Sequence, residues 1–261
     1  MNVVVCIKQV PETGAIKLTG PVQTLKREGV NMIVNPFDQY AIEEAIRIKE
    51  RDGGTITAVC MGEAKGKEAV REAIAMGADA GMLLADPAFT DSDTLGTARV
   101  LAQGLKRLEG ATLIILGRQA VDGASGQVGP QLAEELGVPH LTNVRKILEL
   151  RPDYLKVERL LEVGVEVAET SLPALITVVK EINEPRLPSL KGIMRAKKTE
   201  ITTYGAADLG VDASQVGAAG AMMQVVEYAP PPARGKGELI QGEVQEQVHT
   251  LVAKLRGTKL I

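Results

Sequence analysis

The stretch from Ala111 to Gly137, ATLIILGRQAVDGASGQVGPQLAEELG, constrains the fold more than any other part of the chain. A short apolar run, Thr112–Leu116, reads as a buried strand. A polar turn carrying Gly123, Gly126 and Gly129 follows, and then a helical segment, Pro130–Leu136. In a parallel sheet such a turn stands at the carboxyl end of a strand, where ligands bind. Its glycines let backbone approach a ligand closely, and the amides and dipole of the next helix favour a phosphate. Ser125 and Gln127 offer side-chain hydrogen bonds to that phosphate or to a ribose. An ordinary strand-to-helix turn fits the same residues, so from this segment alone both readings stand.

The spacing Gly123-x-x-Gly126-x-x-Gly129 lacks the tight G-x-G pair of a dinucleotide fingerprint, and the chain has no Walker loop. The nearest approach to one, Gly62-Glu63-Ala64-Lys65-Gly66-Lys67-Glu68, is one residue short. It also has Glu where the magnesium-holding hydroxyl belongs, and it reads as a turn entering a helix over Lys67–Met76. Kinase-like and ATPase mechanisms have no residues to use.

Composition narrows the remaining classes. With 261 residues, 45% of them hydrophobic, the chain buries a full core. A net charge of −3, only 2% aromatics and no Trp leave neither a basic surface nor stacking rings for nucleic acid. Cys6 and Cys60 fall in separate predicted strands without a C-x-x-C, and read as small buried hydrophobes rather than cluster, zinc or redox groups. His140 and His249 have no metal-ligand spacing, and no G-x-S-x-G elbow is present. The chain enters a strand at Asn2 with no leader pattern, and no uncharged apolar run approaches the ~18 residues that span a bilayer. These features predict a soluble, cytoplasmic protein without membrane insertion.

Strand and helix patterns alternate. Strands are predicted at Asn2–Ile7, Thr55–Met61, Gly81–Leu84, Thr112–Leu116 and Pro173–Val179. Helices are predicted at Pro36–Arg51, Lys67–Met76, Asp93–Leu108 and Pro130–Leu136. This order predicts an α/β fold, a Rossmann-like, mostly parallel sheet with helices on both faces. Leu155–Arg159 and Val163–Val167 read as half-exposed strands making an antiparallel addition. Asn35-Pro36-Phe37-Asp38 is a second candidate ligand element. Local rules nevertheless account for each residue, with Asn35 as N-cap, Pro36 at the first helical position and Asp38 at N3 where its charge helps the dipole.

After Val179 the character changes. Asn183-Glu184-Pro185-Arg186-Leu187-Pro188 cannot continue a helix, and Pro185, Pro188 and Gly192 suit the loop over Pro188–Lys197 that the resemblance given next implies. From Gly205 to Gly237 the chain is rich in Gly, Ala and Pro, including Pro230-Pro231-Pro232, and shows no sustained period. It reads as an extended arm ending in an amphipathic helix with Val244, Val248, Leu251, Val252 and Leu255 on one face. That face either packs back on its own domain or reaches another subunit. The expected division is a Rossmann-like body over 1–185, a segment over 186–204 and the arm over 205–261, to which the same resemblance adds adenine-nucleotide binding in the first and partner recognition in the second.

Taken together, VVVCIKQVPET, VNPFDQYAIEEAIRIKE, AIAMGADAG, LGRQAVDGASGQVGPQLA, LKVERLLEVG, LPALITVVKEINEPRLPSLKGIMRAKKTEI and the terminal LVAKLRG resemble, in this order, the beta subunit of electron-transfer flavoproteins. The resemblance runs nearly end to end. One departure is the turn Glu162-Val163-Gly164, where the family has an acidic-glycine-glycine sequence.

The resemblance implies a heterodimer with an alpha subunit that carries FAD and is embraced by the C-terminal arm, and an electron carrier without catalytic residues. It implies an adenine-nucleotide site at Cys6 (through its backbone), Asn35, Pro36, Phe37, Asp38, Met61, Asp122, Gly123, Ala124, Ser125, Gly126, Gln127, Val128, Gly129, Pro130, Gln131, Leu132 and Ala133. It also implies dehydrogenase recognition through Leu190, Lys191, Gly192, Ile193 and Met194, with Leu190 as apolar anchor and an acyl-CoA dehydrogenase or another flavin dehydrogenase as partner. The nucleotide is AMP in conventional members. In the electron-bifurcating branch it is a second FAD, fed by NADH, with ferredoxin or flavodoxin as low-potential acceptor. The loop Asp122–Pro130 and Asp38 look like that branch. A stand-alone nucleotide-binding or stress-response domain of similar architecture is the competing reading. An adenylating enzyme would need a Ser-Gly-Gly loop where Lys8-Gln9-Val10-Pro11 stands.

Overall fold

The computed structural model describes residues 1–12, 18–19, 24–25, 30–226, 235 and 237–261. It divides into two compact units between residues 227 and 228.

The first unit contains strands β1 (Asn2–Ile7), β2 (Gln9–Pro11), β3 (Leu18–Thr19), β4 (Thr24–Leu25) and β5 (Met32–Val34), then helix α1 (Pro36–Asp52). Next come β6 (Thr55–Met61), α2 (Lys67–Met76), β7 (Ala80–Leu84), α3 (Thr94–Leu105), β8 (Leu113–Gly117) and α4 (Val128–Leu136). Then follow β9 (His140–Arg151), β10 (Tyr154–Leu161), β11 (Gly164–Ser171), β12 (Ala174–Val178), α5 (Leu190–Lys198), β13 (Thr202–Tyr204), α6 (Ala206–Leu209) and α7 (Gly217–Gly220).

Nine of these strands form one sheet in the order β11-β10-β9-β12-β8-β1-β6-β7-β13. From β9 to β13 every neighbouring pair is parallel, and β10 and β11 extend the sheet antiparallel. This is the expected α/β architecture. Alternation along β1 assigns the two faces. Val3, Val5 and Ile7 enter the core under α1 and α2, whereas Val4 and Cys6 enter the core with residues of α3 and α4. Cys6 and Cys60 are free and buried in opposite cores. Burial pushes both thiols up, Cys60 to about 12, as the reading as inert apolar residues requires.

The predicted elements fall within a few residues of those observed, and β6 and α2 have the predicted bounds. Strand β9 had no sequence signal. It pairs with β12 at its start and with β10 further along, and the β9–β10 pairing carries two register shifts, so no single alternation runs through it. At the β10–β11 turn Leu161 pairs with Gly164, so Glu162 and Val163 form a two-residue hairpin loop. The positive φ falls on Gly164 (152°), which is how Val163, 96% exposed, is accommodated in place of a glycine.

Two segments differ from the expectation. Pro188–Lys197 is not a loop: Ser189 caps α5, its Oγ accepting the Gly192 amide at 3.0 Å. Residues 205–220 are not devoid of regular structure. Asp86 accepts the Ala206 amide at 2.9 Å, Ser92 Oγ accepts the Gly217 amide at 2.8 Å, and Arg99 donates to the Gln215 carbonyl at 3.1 Å. These side-chain anchors substitute for periodic burial, which is why no pattern marked them. Pro230, Pro231 and Pro232 lie outside the described residues. In the second unit, α8 (Val244–Gly257) exposes Val244, Val248 and Leu251. Among the described residues, no helix is long and apolar enough to cross a membrane.

Candidate functional site

The chain leaves β1 through α1 to β6 and β7, then returns through α3 to β8 on the other side of β1. The direction of sheet growth therefore reverses between β1 and β8, and the crevice beyond their carboxyl ends is the topological switch point where open α/β sheets hold ligands. Lys8 follows β1 and Arg118–Gln127 follows β8, so the glycine turn lies at that crevice.

The Asn35–Asp38 element lies beside it and takes the predicted places, with Pro36 opening α1 and Asp38 in its first turn, but its side chains do more than the local rules ask. Asn35 occupies the N-cap position of α1 but makes no side-chain cap. Its amide spans instead to the glycine turn, donating to the Gln119 carbonyl at 2.9 Å and accepting the Val121 amide at 3.1 Å. Asp38, 5% exposed, reaches beyond its helix as well: its carboxylate accepts the amides of Lys8 at 2.8 Å and Gly117 at 3.1 Å. One carboxylate thus ties the end of β1 to the end of β8. Burial pushes its pKa up to about 7, against the Lys8 amide, the Asn35 side chain and the Gly117 amide, which favour the ionised form. Gly117 is required by this seat, because a Cβ there would lie 2.5 Å from Asp38 Oδ1 and 2.6 Å from the Phe37 backbone. Across the crevice mouth, Lys8 Nζ pairs with the buried Asp122 carboxylate at 2.8 Å.

In the turn itself, Ala124 and Gly126 have positive φ values of 50° and 64°. Among the described residues, Gln127, the N-cap residue of α4, provides no side-chain cap to the first-turn amides. Ser125 Oγ accepts the Gln127 amide at 3.4 Å, and Thr94 donates to Gln127 Oε1 at 3.2 Å. One turn into α4, Gln131 Oε1 is buried without a hydrogen-bond partner, an acceptor facing no donor of the described chain. The other expected residues divide by how they face. Gly123, Ala124, Ser125 and Gln127 are exposed, while Phe37, Met61, Asp122, Gly126, Val128 and Pro130 are half-buried. Cys6, Leu132 and Ala133 place their side chains in the core, leaving only backbone for a ligand. Gly129 lets α4 sit close on β12, since a Cβ would meet Thr177 Cγ2 at 2.4 Å.

The sequence reading missed Lys8, Gly117 and Thr94. Two of them carried a positional signal, Lys8 as the residue after the first strand and Gly117 as the end of the fourth parallel one. Thr94 carried none.

Leu190, Lys191, Ile193 and Met194 are exposed on α5, together with Leu187 before it, whereas Gly192 is buried against α2. No group of three or more His, Cys, Asp or Glu among the described residues could hold a metal.

A mostly parallel sheet with this switch point defines a Rossmann-like α/β protein. A family model for the electron transfer flavoprotein domain matches residues 22–209. The chain is 44% identical over 262 residues to the electron transfer flavoprotein subunit beta of Thermoanaerobacterium thermosaccharolyticum, covering all of both chains. It is 41% identical to that of Clostridium acetobutylicum, over 98% of each. It is also 41% identical, across the whole of both, to the caffeyl-CoA reductase-Etf complex subunit CarD of Acetobacterium woodii. The chain belongs to the electron transfer flavoprotein family, as a beta subunit. It is an electron-carrier subunit rather than a catalytic enzyme, and membership implies an alpha-subunit partner, dehydrogenase partners and flavin or AMP binding. The stand-alone reading is set aside.

Proposed function

We propose that the crevice between β1 and β8 holds the ADP half of a FAD, and that the heterodimer built with the alpha subunit bifurcates electrons from NADH. The observation that carries the nucleotide reading is that the Asn35 side chain braces the glycine turn instead of capping α1, while Asp38 ties the ends of β1 and β8 beneath it. The residues present fit such a group. The uncapped amides of α4 suit a diphosphate, the turn from Asp122 to Pro130 brings backbone to it, and the unpaired Gln131 Oε1 suits a hydroxyl or amino donor of the nucleoside. In this reading Asn35, Pro36, Phe37 and Asp38 wall the crevice, Cys6, Leu132 and Ala133 contribute backbone, and Met61 contributes an apolar edge.

The choice of FAD over AMP rests on the Asp122–Pro130 sequence and Asp38, and gains support from the relative named as part of a reductase–Etf complex. When bound, the flavin supplies the redox chemistry, and the chain's residues supply position and electrostatics. Leu190–Met194 present the contact to a flavin dehydrogenase such as an acyl-CoA dehydrogenase, and ferredoxin or flavodoxin accepts the low-potential electron.

Counting flavin and AMP in the purified heterodimer tests this reading. Two flavins are expected. One flavin with one AMP would overturn the FAD assignment and bifurcation with it, and the absence of any nucleotide beyond the alpha-subunit flavin would overturn the crevice as the site.

A further inference from the structure

After a 3-10 turn at Lys180–Ile182 that follows β12, residues 183–189 lead to α5 as a strap across α1, and α1 grips it along one stripe. Asn183 Nδ2 donates to the Tyr40 carbonyl and to Glu44 Oε2, both at 3.0 Å. Arg47 donates to the Glu184 carbonyl at 3.3 Å. Arg186 is held most firmly: its guanidinium donates to both Glu43 oxygens at 2.8 and 3.1 Å and to both Glu50 oxygens at 2.5 and 3.0 Å. Its backbone amide donates to Glu43 Oε2 at 3.2 Å. Positions 40, 43, 44, 47 and 50 recur at helical spacing and so face the strap together. Glu43 is 2% exposed, and Arg47 Nε occupies its Oε1 at 2.7 Å as well. A carboxylate buried so deeply has every lone pair directed at the strap or at Arg47. Pro185 and Pro188 stiffen the strap on either side of Arg186.

We propose that Glu43 is a positioning residue for partner engagement: through Arg186 it fixes where Leu187 and the first turn of α5, with Leu190, stand on the surface. This rests on reading Leu190–Met194 as the dehydrogenase contact. Helix α1 then has two duties. Its first turn braces the nucleotide crevice through Asn35 and Asp38, and two turns later Glu43 holds the strap, so one rigid rod sets both. Helix α5 has a second anchorage on α2, where Arg195 donates to the Ile74 and Ala78 carbonyls at 2.6 and 3.0 Å and Arg71 donates to the Ala196 carbonyl at 2.6 Å. Those contacts hold its later turns, and the strap holds its start.

The test is Glu43→Gln in the intact heterodimer. KM for a flavin dehydrogenase should rise about tenfold, a change of ~1.4 kcal/mol, with turnover at saturation and flavin content unchanged. Amide exchange should quicken over 183–190 but not over 35–40. Arg186→Lys, which keeps the charge and loses the fork, should raise KM about threefold, and it is read in the same way if Glu43→Gln does not assemble. An unchanged KM in these variants would overturn the proposal. Leu190→Ala measured beside them tells the two failures apart: if it raises KM while Glu43→Gln does not, α2 alone positions α5. If neither does, the dehydrogenase contact lies elsewhere and both ideas fall.

Discussion

Asp38 and Glu43 stand five residues apart on one helix, both almost wholly buried, and their surroundings treat them in opposite ways. Asp38 contacts backbone amides, and burial dominates, lifting its pKa to about 7. Glu43 contacts two guanidiniums, and their hydrogen bonds and charge hold its pKa below the usual carboxylate range despite burial. The difference lies in what each joins. Amides at the ends of β1 and β8 belong to the sheet itself, so Asp38 joins neighbouring strands that already pair with one another. Arginines reach Glu43 from a strap and from the next turn of the helix, so Glu43 joins the body to a surface segment. Burial alone does not tell a site brace from a segment anchor; the partners do.

The change expected to break the Asp38 side most severely is Gly117→Ala. The new Cβ meets a carboxylate oxygen and backbone that have no room to retreat, so a stability loss of ~3 kcal/mol is expected. The crevice nucleotide should be lost with it, read by urea melts and nucleotide content.

Asp38→Asn should cost ~2 kcal/mol, because an amide accepts only one of the two backbone donors well and leaves the other unpaired. It also tests the electrostatic contrast. With its folded pKa raised from 3.8 to about 7, Asp38 binds a proton in the folded chain where the unfolded chain has released it. Its contribution to stability therefore falls as pH rises from about 4 to about 7. Glu43, whose folded pKa is lowered, contributes above the ordinary carboxylate pKa of 4.5 and loses that contribution as pH falls. The groups facing it are Arg47, Arg186, Glu44 and Glu50. Urea midpoints compared at pH 5 and pH 7 should fall in the native chain by the contribution of Asp38, and Asp38→Asn should lose that part of the decline. An unchanged slope would mean that Asp38 is ionised throughout.

These roles show where sequence is legible. Apolar runs and caps placed β1, β6, β7, β8, β12 and α1 to α4, because these strands bury both faces and these helices one face in the two cores. The glycine turn was visible as a turn. The duties of Asn35 and Asp38 were not, since capping explains the same two residues and only the return of β8 beside β1 brings Gly117, Gln119 and Val121 within their reach. The Glu43–Arg186 pair spans 143 positions and has no local trace. Helix α5 was hidden for a different reason: beyond buried Gly192 and Ala196 its surface is polar or exposed, so it lacks the wide apolar stripe that marks a core helix.

At the far end of the strap, Leu190 is 77% exposed, so truncating it removes nothing from the core. Leu190→Ala should weaken transfer with a flavin dehydrogenase by more than tenfold, since anchors buried at an interface typically cost ~2 kcal/mol. Thermal stability and flavin content should stay at the native level. A stability loss with normal partner kinetics would move the dehydrogenase contact away from α5.

The smallest expected effect sharpens the picture of the crevice side, because it separates two glycines of one turn. Gly126 has φ +64°, a conformation an L side chain adopts at a cost, although the nearest atom to a new Cβ, the Arg118 carbonyl oxygen, is 3.6 Å away. Gly123 has no positive φ, and a Cβ there meets nothing within 4 Å. Gly126→Ala should therefore cost ~1 kcal/mol through backbone strain alone, and Gly123→Ala should be neutral or slightly stabilising by restricting the unfolded chain. Nucleotide content adds a second measurement. If the turn cradles a diphosphate with its backbone, a methyl on the exposed Gly123 obstructs the ligand without disturbing the fold. Gly123→Ala should then lose nucleotide at full stability, whereas Gly126→Ala should lose both in proportion. Equal nucleotide content in native protein and Gly123→Ala would put the phosphates at the start of α4 instead of on the turn before it.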